Sequence, residues 1–255
     1  MKRIALFAVF PLIFLMSVIA HLPAQWLLNY LTLPNALQWQ SVSGTLWQGK
    51  MDGVQWQNQA IGRVQWQWLW SGLWKAEPQV AWRVLRDQHS PFEGKGIVAY
   101  SFSGLMVKNA WLSAPASLIA QQMAQLSRTQ YPVQVKGQVM LTVDQWQYGF
   151  PWCKQAQAHL SWQNAELSSV IGEIALDELS SDIRCQAQEI QLNGQQANTQ
   201  TSGELSLQLI APNRYQLDAW FKPEAEFPKP LARYLSYLPS PDPQGRYHFS
   251  QQGQW

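Results

Sequence analysis

The sequence predicts a mainly β protein, with one N-terminal transmembrane helix followed by a curved antiparallel β-sheet domain with one or two short packing helices. Three observations lead to this fold class. A positively led apolar run opens the chain, period-two alternation of apolar and polar residues dominates the rest, and only two later segments have helical spacing. The predicted organisation is a membrane anchor at residues 1–30 and a β-rich domain at residues 31–255, which is long enough to bury a sizeable core.

The N-terminal segment has the pattern of a membrane anchor. Lys2 and Arg3 precede an apolar run from Ile4 to Ala20. As a helix this run spans about 25 Å, and the apolar pattern continues as far as Leu28. Residues 18–20 would also satisfy a signal peptidase, but the continuing apolar pattern favours an uncleaved anchor. With the two cations held in the cytoplasm, everything after about residue 30 is expected to be exported.

The chain contains two cysteines, Cys153 and Cys185. They are too few and too far apart for a metal knuckle. In an oxidising compartment, one intramolecular disulfide is the economical prediction. Two unpaired buried thiols are the alternative.

Alternating residues predict the strands. The clearest pattern covers residues 133–143, where valine, glycine and leucine at odd positions alternate with mostly polar residues at even positions. The same signature occurs at residues 63–70 and 155–162. Shorter stretches predict further strands at residues 80–84, 98–102, 190–192, 205–209, 215–221 and 247–251. So many strands with one wet face indicate an antiparallel sheet with one buried face.

Two segments resist the strand pattern. Residues 113–126 begin with Ser113 as a candidate cap and have apolar residues at helical spacing, which predicts an amphipathic helix. Residues 229–238 carry leucines and a tyrosine on one helical face, and Pro239 ends the segment. The proline-rich residues 239–245 predict a turn into the last strand.

The stretch GTLWQGK at residues 44–50 belongs to a recurring pattern of glycine, any residue, then an aliphatic residue. The pattern recurs, mostly in front of predicted strands, at Gly44, Gly96, Gly137, Gly172 and Gly203. Glycine there suits bulges, bends or close backbone approach. We therefore predict a strand start with Trp47 packed on one face and Gly49 at the following turn. An exposed Trp47 that contacts a partner is the alternative.

The composition argues against several classes of function. The net charge is +2 with 13% charged residues, and no basic run follows a phosphate backbone, so no nucleic-acid partner is expected. No cofactor or metal is expected either. The four histidines lack the spacing of metal ligands, and no catalytic motif is present. The histidines are His21, His89, His159 and His248. No catalytic residue is predicted.

Two clusters keep a second interpretation open. Paired carboxylates can cleave a glycosidic bond, but a solvated loop is the favoured explanation for the acidic cluster of Glu173, Asp177, Glu178 and Asp182. Trp66, Trp68 and Trp70 share one predicted strand face. A packed core is favoured for them, and a stacking platform for sugars or lipid tails is the alternative.

Four features together resemble the type II secretion system protein N family across essentially the whole chain. They are the anchor, the sequence VSGTLWQG at residues 42–49, the helix at 113–126 and the closing GRYHF at 245–249. The most specific part is the motif formed by Gly44, Thr45, Leu46, Trp47 and Gly49. The resemblance implies a single-pass inner-membrane protein of Gram-negative bacteria that is mostly periplasmic. It also implies an accessory role in the apparatus that exports folded proteins across the outer membrane, without known catalytic residues.

Two hypotheses of different kinds follow. The leading one is a non-enzymatic subunit that presents a glutamine-rich sheet face to other secretion-system subunits of the inner-membrane platform or periplasm. The alternative is an envelope lipid-handling module, in which the apolar side of the sheet forms a groove for acyl chains. An open apolar trough in the structure would favour the alternative.

Overall fold

The computed structural model describes residues 13–30, 36–57, 59–87, 90–127 and 133–254. The mainly β, antiparallel fold class is confirmed. Ile4 and the following residues up to 12 lie outside the described residues, whereas residues 13–20 are helical with every side chain exposed. Among the described residues, no helix combines the length and hydropathy that crossing a membrane requires.

The chain divides into two compact units, Met1–Lys95 and Gly96–Trp255. The first unit contains helix α1 and an antiparallel arrangement in which β3 pairs with β1, β2 and β4, and β4 pairs with β5. A 3₁₀ helix, Trp70–Lys75, joins β4 to β5. The bounds are α1 Ala24–Tyr30, β1 Leu37–Gln38, β2 Ser41–Gly44, β3 Gln48–Trp56, β4 Gln59–Leu69 and β5 Gln79–Leu85.

The second unit is a meander, in which strands that follow one another in sequence pair side by side. Strand β6 contains the boundary between the units, and β7 to β14 pair in chain order as antiparallel neighbours. The bounds are β6 Glu93–Ser101, β7 Gly104–Pro115, β8 Val133–Gln147, β9 Gln155–Ser169, β10 Gly172–Gln186, β11 Glu189–Ala197, β12 Thr201–Ile210, β13 Arg214–Pro223 and β14 Tyr247–Gln254.

Both helical predictions are correct in kind and inexact in extent. Helix α2 is Ala116–Ser127, and Ser113 does not cap it but lies buried in β7, where it accepts a hydrogen bond from Gln138. The later segment forms helix α3, Lys229–Ala232, followed by the 3₁₀ helix Arg233–Tyr237. Because the side chain of Leu231 lies against Gly172, this segment packs on the start of β10.

The two cysteines form a disulfide with their Cα atoms 6.4 Å apart. Cys153 lies in the β8–β9 connection and Cys185 lies in β10, and both are fully buried beside Ala156. Trp146, Trp152 and Ile190 pack around this cluster. The disulfide therefore links a turn to a central strand of the second unit at its most buried point.

Candidate functional site

The GTLWQGK stretch forms the tip of the β2–β3 hairpin. Gly44 ends β2 and pairs with Gly49, which is the second residue of β3, so the predicted strand start at Gly44 and turn at Gly49 are wrong. The Thr45 amide donates to the carbonyl of Gln48 at 2.8 Å and closes the tip. Gly44 has φ +98°, and a Cβ there would lie 2.5 Å from the Gln48 carbonyl oxygen. Glycine is therefore required by the turn rather than by the beginning of a strand.

A side-chain donor and a backbone donor of the hairpin tip bind the end of the helix at residues 13–20 and the chain just after it. The Trp47 indole Nε1 donates to the carbonyl of Ile19 at 2.8 Å, and the Leu46 amide donates to the carbonyl of Leu22 at 2.9 Å. The Ile19 carbonyl also accepts from the Leu22 amide at 3.4 Å, so Trp47 adds a second, shorter hydrogen bond at the end of the helix. The motif thus connects the strands of the first unit to the end of the N-terminal helix.

Tryptophan rings surround the same hairpin tip. The Trp47 ring contacts Trp68 edge-on at 5.3 Å and Trp70 at 5.0 Å between ring centroids. Trp66 donates to the Leu46 carbonyl at 3.1 Å, and its ring occupies the space that a Cβ at Gly49 would need. Trp66 and Trp68 are only half-buried, and Trp70 lies in the 3₁₀ helix and is exposed, so the three do not form the buried core that the sequence favoured.

A second surface is the solvent-facing side of strands β9 to β14, which we name the polar face. One row of this face crosses six strands in register: His159, Asp182, Asn193, Ser206, Asp218 and Ser250. The neighbouring row consists of five glutamines and an arginine: Gln157, Arg184, Gln191, Gln208, Gln216 and Gln252. Such rows arise because each residue pairs with the residue directly opposite on the next strand.

A concavity of about 440 Å³ opens on the polar face. The first row lines it together with Glu204, Trp220 and His248. Side-chain hydrogen bonds connect neighbouring strands beneath the concavity. For example, Ser206 Oγ donates to Asn193 Oδ1 at 3.0 Å. Trp220 Nε1 donates to Glu204 at 3.2 Å.

Hydrogen-bond donors surround two carboxylates of this region. The hydroxyl of Ser250 and the amide of Gln216 donate to Asp218 and hold the pKa of that carboxyl below its ordinary value. The His248 ring, with the Arg246 and Gln244 donors, holds the pKa of Asp242 far below its ordinary value. A general acid needs a raised pKa near the working pH, so both groups are suited to accepting hydrogen bonds rather than to giving up a proton in catalysis.

The sequence-predicted acidic cluster is not a loop. Glu173, Asp177, Glu178 and Asp182 all lie on β10, a strand of 15 residues. At strand rise, the first and last of them are about 30 Å apart along the chain, so the whole cluster cannot act on one glycosidic bond. The loop interpretation fails because strand β10 pairs along its length with β9 and over half of it with β11, which overrides its weak strand propensity.

The histidines are also placed in a way the sequence did not reveal. His159 and His248 both line the concavity, with Nδ1 of His159 3.1 Å from Asp182 and Nε2 of His248 2.9 Å from Asp242. His21 contacts the carbonyl of Ser17 at 2.8 Å, and His89 lies outside the described residues. No group of three metal-ligating side chains occurs within the described part of the chain.

Comparison with known proteins assigns the chain to a family. Residues 35–250 match the family model described as type II secretion system (T2SS), protein N. The chain belongs to this family. It is 41% identical over 245 residues to type II secretion system protein N of Vibrio cholerae serotype O1, which covers 96% of each chain. It is 28% identical to the protein of the same name from Aeromonas hydrophila, over 99% of this chain and 98% of the relative.

A third relative, type II secretion system protein N of Klebsiella pneumoniae, is 27% identical over 95% of this chain and 92% of its own. No solved structure matches the chain significantly. The resemblance stated from the sequence is therefore confirmed, and the chain is a component of the type II secretion system. The family motif forms the hairpin tip described above, and the polar face has no counterpart in any sequence motif.

Proposed function

We propose that this protein is a non-enzymatic inner-membrane subunit of the type II secretion pathway that supports export of folded proteins through protein–protein contacts. The observation that carries this proposal is family membership over nearly the whole chain. Residues 1–30 act as an uncleaved anchor and residues 31–255 lie in the periplasm. The positive residues Lys2 and Arg3 and the exposed apolar helix at residues 13–20 support that topology.

Topology is tested with reporter fusions and by sequencing the mature N-terminus. Alkaline phosphatase fused after Trp255 is expected to be active, since the enzyme folds only when exported. The mature chain is expected to retain Met1. An inactive fusion would contradict the periplasmic location, and a chain that begins at His21 would contradict the anchor.

The polar face is the proposed contact surface for other secretion subunits. It offers long rows of exposed amide and hydroxyl groups on paired strands, so its donors and acceptors are held in place before a partner binds. Its few ion pairs are solvent-exposed, for example His159–Asp182 with exposed fractions of 50% and 65%. Contact through such a face would depend on geometry and hydrogen bonds more than on charge.

Photocrosslinking in living cells tests this surface. A photoreactive residue is placed at Gln191, Gln208 or Gln216, with Gln67 of β4 as a matched exposed glutamine in the other unit. We expect adducts of secretion-system subunits at the three polar-face positions and none at Gln67. Absence of protein adducts at all three positions, in cells that secrete normally, would refute the polar face as the contact surface.

A specific observation also supports the lipid-handling alternative. Among the described residues, the buried apolar side chains are alanine, valine and cysteine, while no leucine, isoleucine or aromatic residue is buried. The side opposite the polar face carries Ile183, Leu192, Leu207 and Leu217 in one row, and all four are only half-buried. An apolar sheet side with accessible leucines is suited to contact acyl chains.

The same crosslinking method separates the two functions. A photoreactive residue at Leu192 or Leu207 is expected to capture phospholipid if the apolar side holds acyl chains. The adduct is identified by mass. Lipid adducts there together with unimpaired secretion in a deletion strain would favour the alternative over the secretion role.

A further inference from the structure

An exposed aromatic surface in the first unit has no role in the functions proposed above. The 3₁₀ helix that follows β4 exposes Trp70, Leu73 and Trp74, which we name the tryptophan ledge. Their exposed fractions are 55%, 48% and 94%. Three large apolar side chains within five residues are costly to leave in water, and an apolar surface of this kind marks contact with a second apolar phase or partner.

Two contacts of Trp47 place this ledge close to the end of the N-terminal helix. Trp47 donates to the Ile19 carbonyl at 2.8 Å, and its ring lies 5.0 Å from the ring of Trp70. At the rise of a 3₁₀ helix, Trp74 follows Trp70 by only about 8 Å. The tryptophan ledge therefore lies within one or two side-chain lengths of the point where the helix at residues 13–20 ends.

That helix determines the nature of the neighbouring phase. Its large side chains are apolar and 42% to 67% exposed: Ile13, Phe14, Leu15, Met16, Val18 and Ile19. A helix that is apolar all round is stable in hydrocarbon rather than in water. Tryptophan concentrates at the boundary between hydrocarbon and headgroups, and a lysine beside it reaches lipid phosphate. Lys75 directly follows Trp74.

We propose that the tryptophan ledge lies in the phospholipid headgroup region of the leaflet in which the anchor ends, as a second membrane contact of the first unit. This inference rests on the proposed membrane anchor and adds to it. The GTLWQGK hairpin then has a mechanical role. By contacting both the end of the helix and Trp70, it fixes the height and orientation of the strands of the first unit relative to the bilayer surface.

Spin-label accessibility of the full chain in phospholipid nanodiscs tests this inference. A nitroxide is attached to Trp74→Cys, and the native cysteines do not react because they form a disulfide. Two further positions calibrate the result. Leu15→Cys reports on the anchor, and Trp56→Cys is a matched exposed tryptophan at the far end of β3, about 25 Å along that strand from the hairpin tip.

We expect the label at position 74 to be accessible to oxygen and severalfold less accessible to a water-soluble nickel complex than the label at position 56. The label at position 74 could instead be as accessible to the nickel complex as the label at position 56, while the label at position 15 is immersed in lipid. That result would refute the membrane contact of the tryptophan ledge and leave the proposed anchor standing. Low accessibility to both reagents at position 74 would indicate a protein partner and would also overturn it. A water-exposed label at position 15 would refute the anchor itself.

Discussion

The two units are stabilised by different kinds of side chain. In the first unit, Trp47 contacts the rings of Trp68 and Trp70 and donates to the Ile19 carbonyl of the N-terminal helix. The buried residues are small in both units, but in the second unit a disulfide supplies the most buried point, and Trp146 and Trp152 pack against it. We therefore expect loss of a large ring to matter most in the first unit, and loss of the covalent link to matter most in the second.

The largest expected effect comes from the covalent link in the second unit. The double substitution Cys153→Ala with Cys185→Ala opens a loop of about 33 residues and is expected to lower the free energy of unfolding by about 3 to 4 kcal/mol. Urea unfolding measures the loss. Hydrogen exchange should show faster exchange in β8 to β10 and little change in β3 and β4. Equal loosening of both units would break the proposed contrast.

The second effect concerns ring size in the first unit. Trp47 is half-buried, so Trp47→Ala is expected to cost about 2 to 3 kcal/mol, below the cost for a fully buried tryptophan. Trp47→Phe keeps a ring but loses the donor to Ile19, and is expected to cost about 1 kcal/mol. Thermal unfolding compares the two. A stable Trp47→Ala protein that loses a secretion partner would show that Trp47 is a contact residue instead.

The third effect concerns the volume of a buried side chain in the second unit. Ala158 is 6% exposed and pairs with Val143 and Ile183, so Ala158→Leu is expected to overpack the sheet at a cost of about 1 to 2 kcal/mol. His159→Leu adds an apolar side chain on the opposite, exposed side of the same strand and serves as the control. Its melting temperature should stay close to that of the parent. If both variants melt alike, close packing on the apolar side does not limit the stability of this unit.

The smallest effect is electrostatic and depends on pH. Asp242 contacts the His248 ring and accepts from the backbone and side chain of Arg246, and these contacts hold its pKa below the ordinary value. A lowered folded-state pKa contributes stability above the unfolded value of about 4, and this contribution is lost as the pH falls below it. Asp242→Asn should therefore lower the melting temperature at neutral pH, and the difference from the parent should narrow below about pH 4. A difference that widens in acid would contradict this sign.

Much of the fold could be predicted from the sequence because strand alternation is a local signal. The strands that coincide with predicted stretches are β4, β5, β6, β8, β9, β11, β12, β13 and β14. Among the strands without a predicted counterpart, β7 and β10 are the longest. Acidic and polar residues interrupt the alternation in β10. The end of β7 was assigned to the predicted helix at residues 113–126. Pairing with neighbours on both sides stabilises such strands regardless of their own pattern.

The functional surfaces divide in the same way. The motif residues Gly44 to Gly49 could be selected from the sequence because the glycines and the tryptophan repeat a family pattern. Their role could not, because it depends on Ile19, which lies 28 residues earlier in the chain. The polar face was foreseen only as glutamine-rich. Its rows exist because six strands pair in one register, and no single strand records that register.

Residue type, local period and motif were enough to predict the mainly β class, the cysteine pair available for a disulfide and the family. Tertiary structure decided that the GTLWQGK stretch is a hairpin tip bound to the N-terminal helix, and that His159 and His248 line one concavity. It also decided that the leucines of the second unit remain half-exposed. These facts depend on which distant residues become neighbours, and chain folding fixes those distances while local propensity does not.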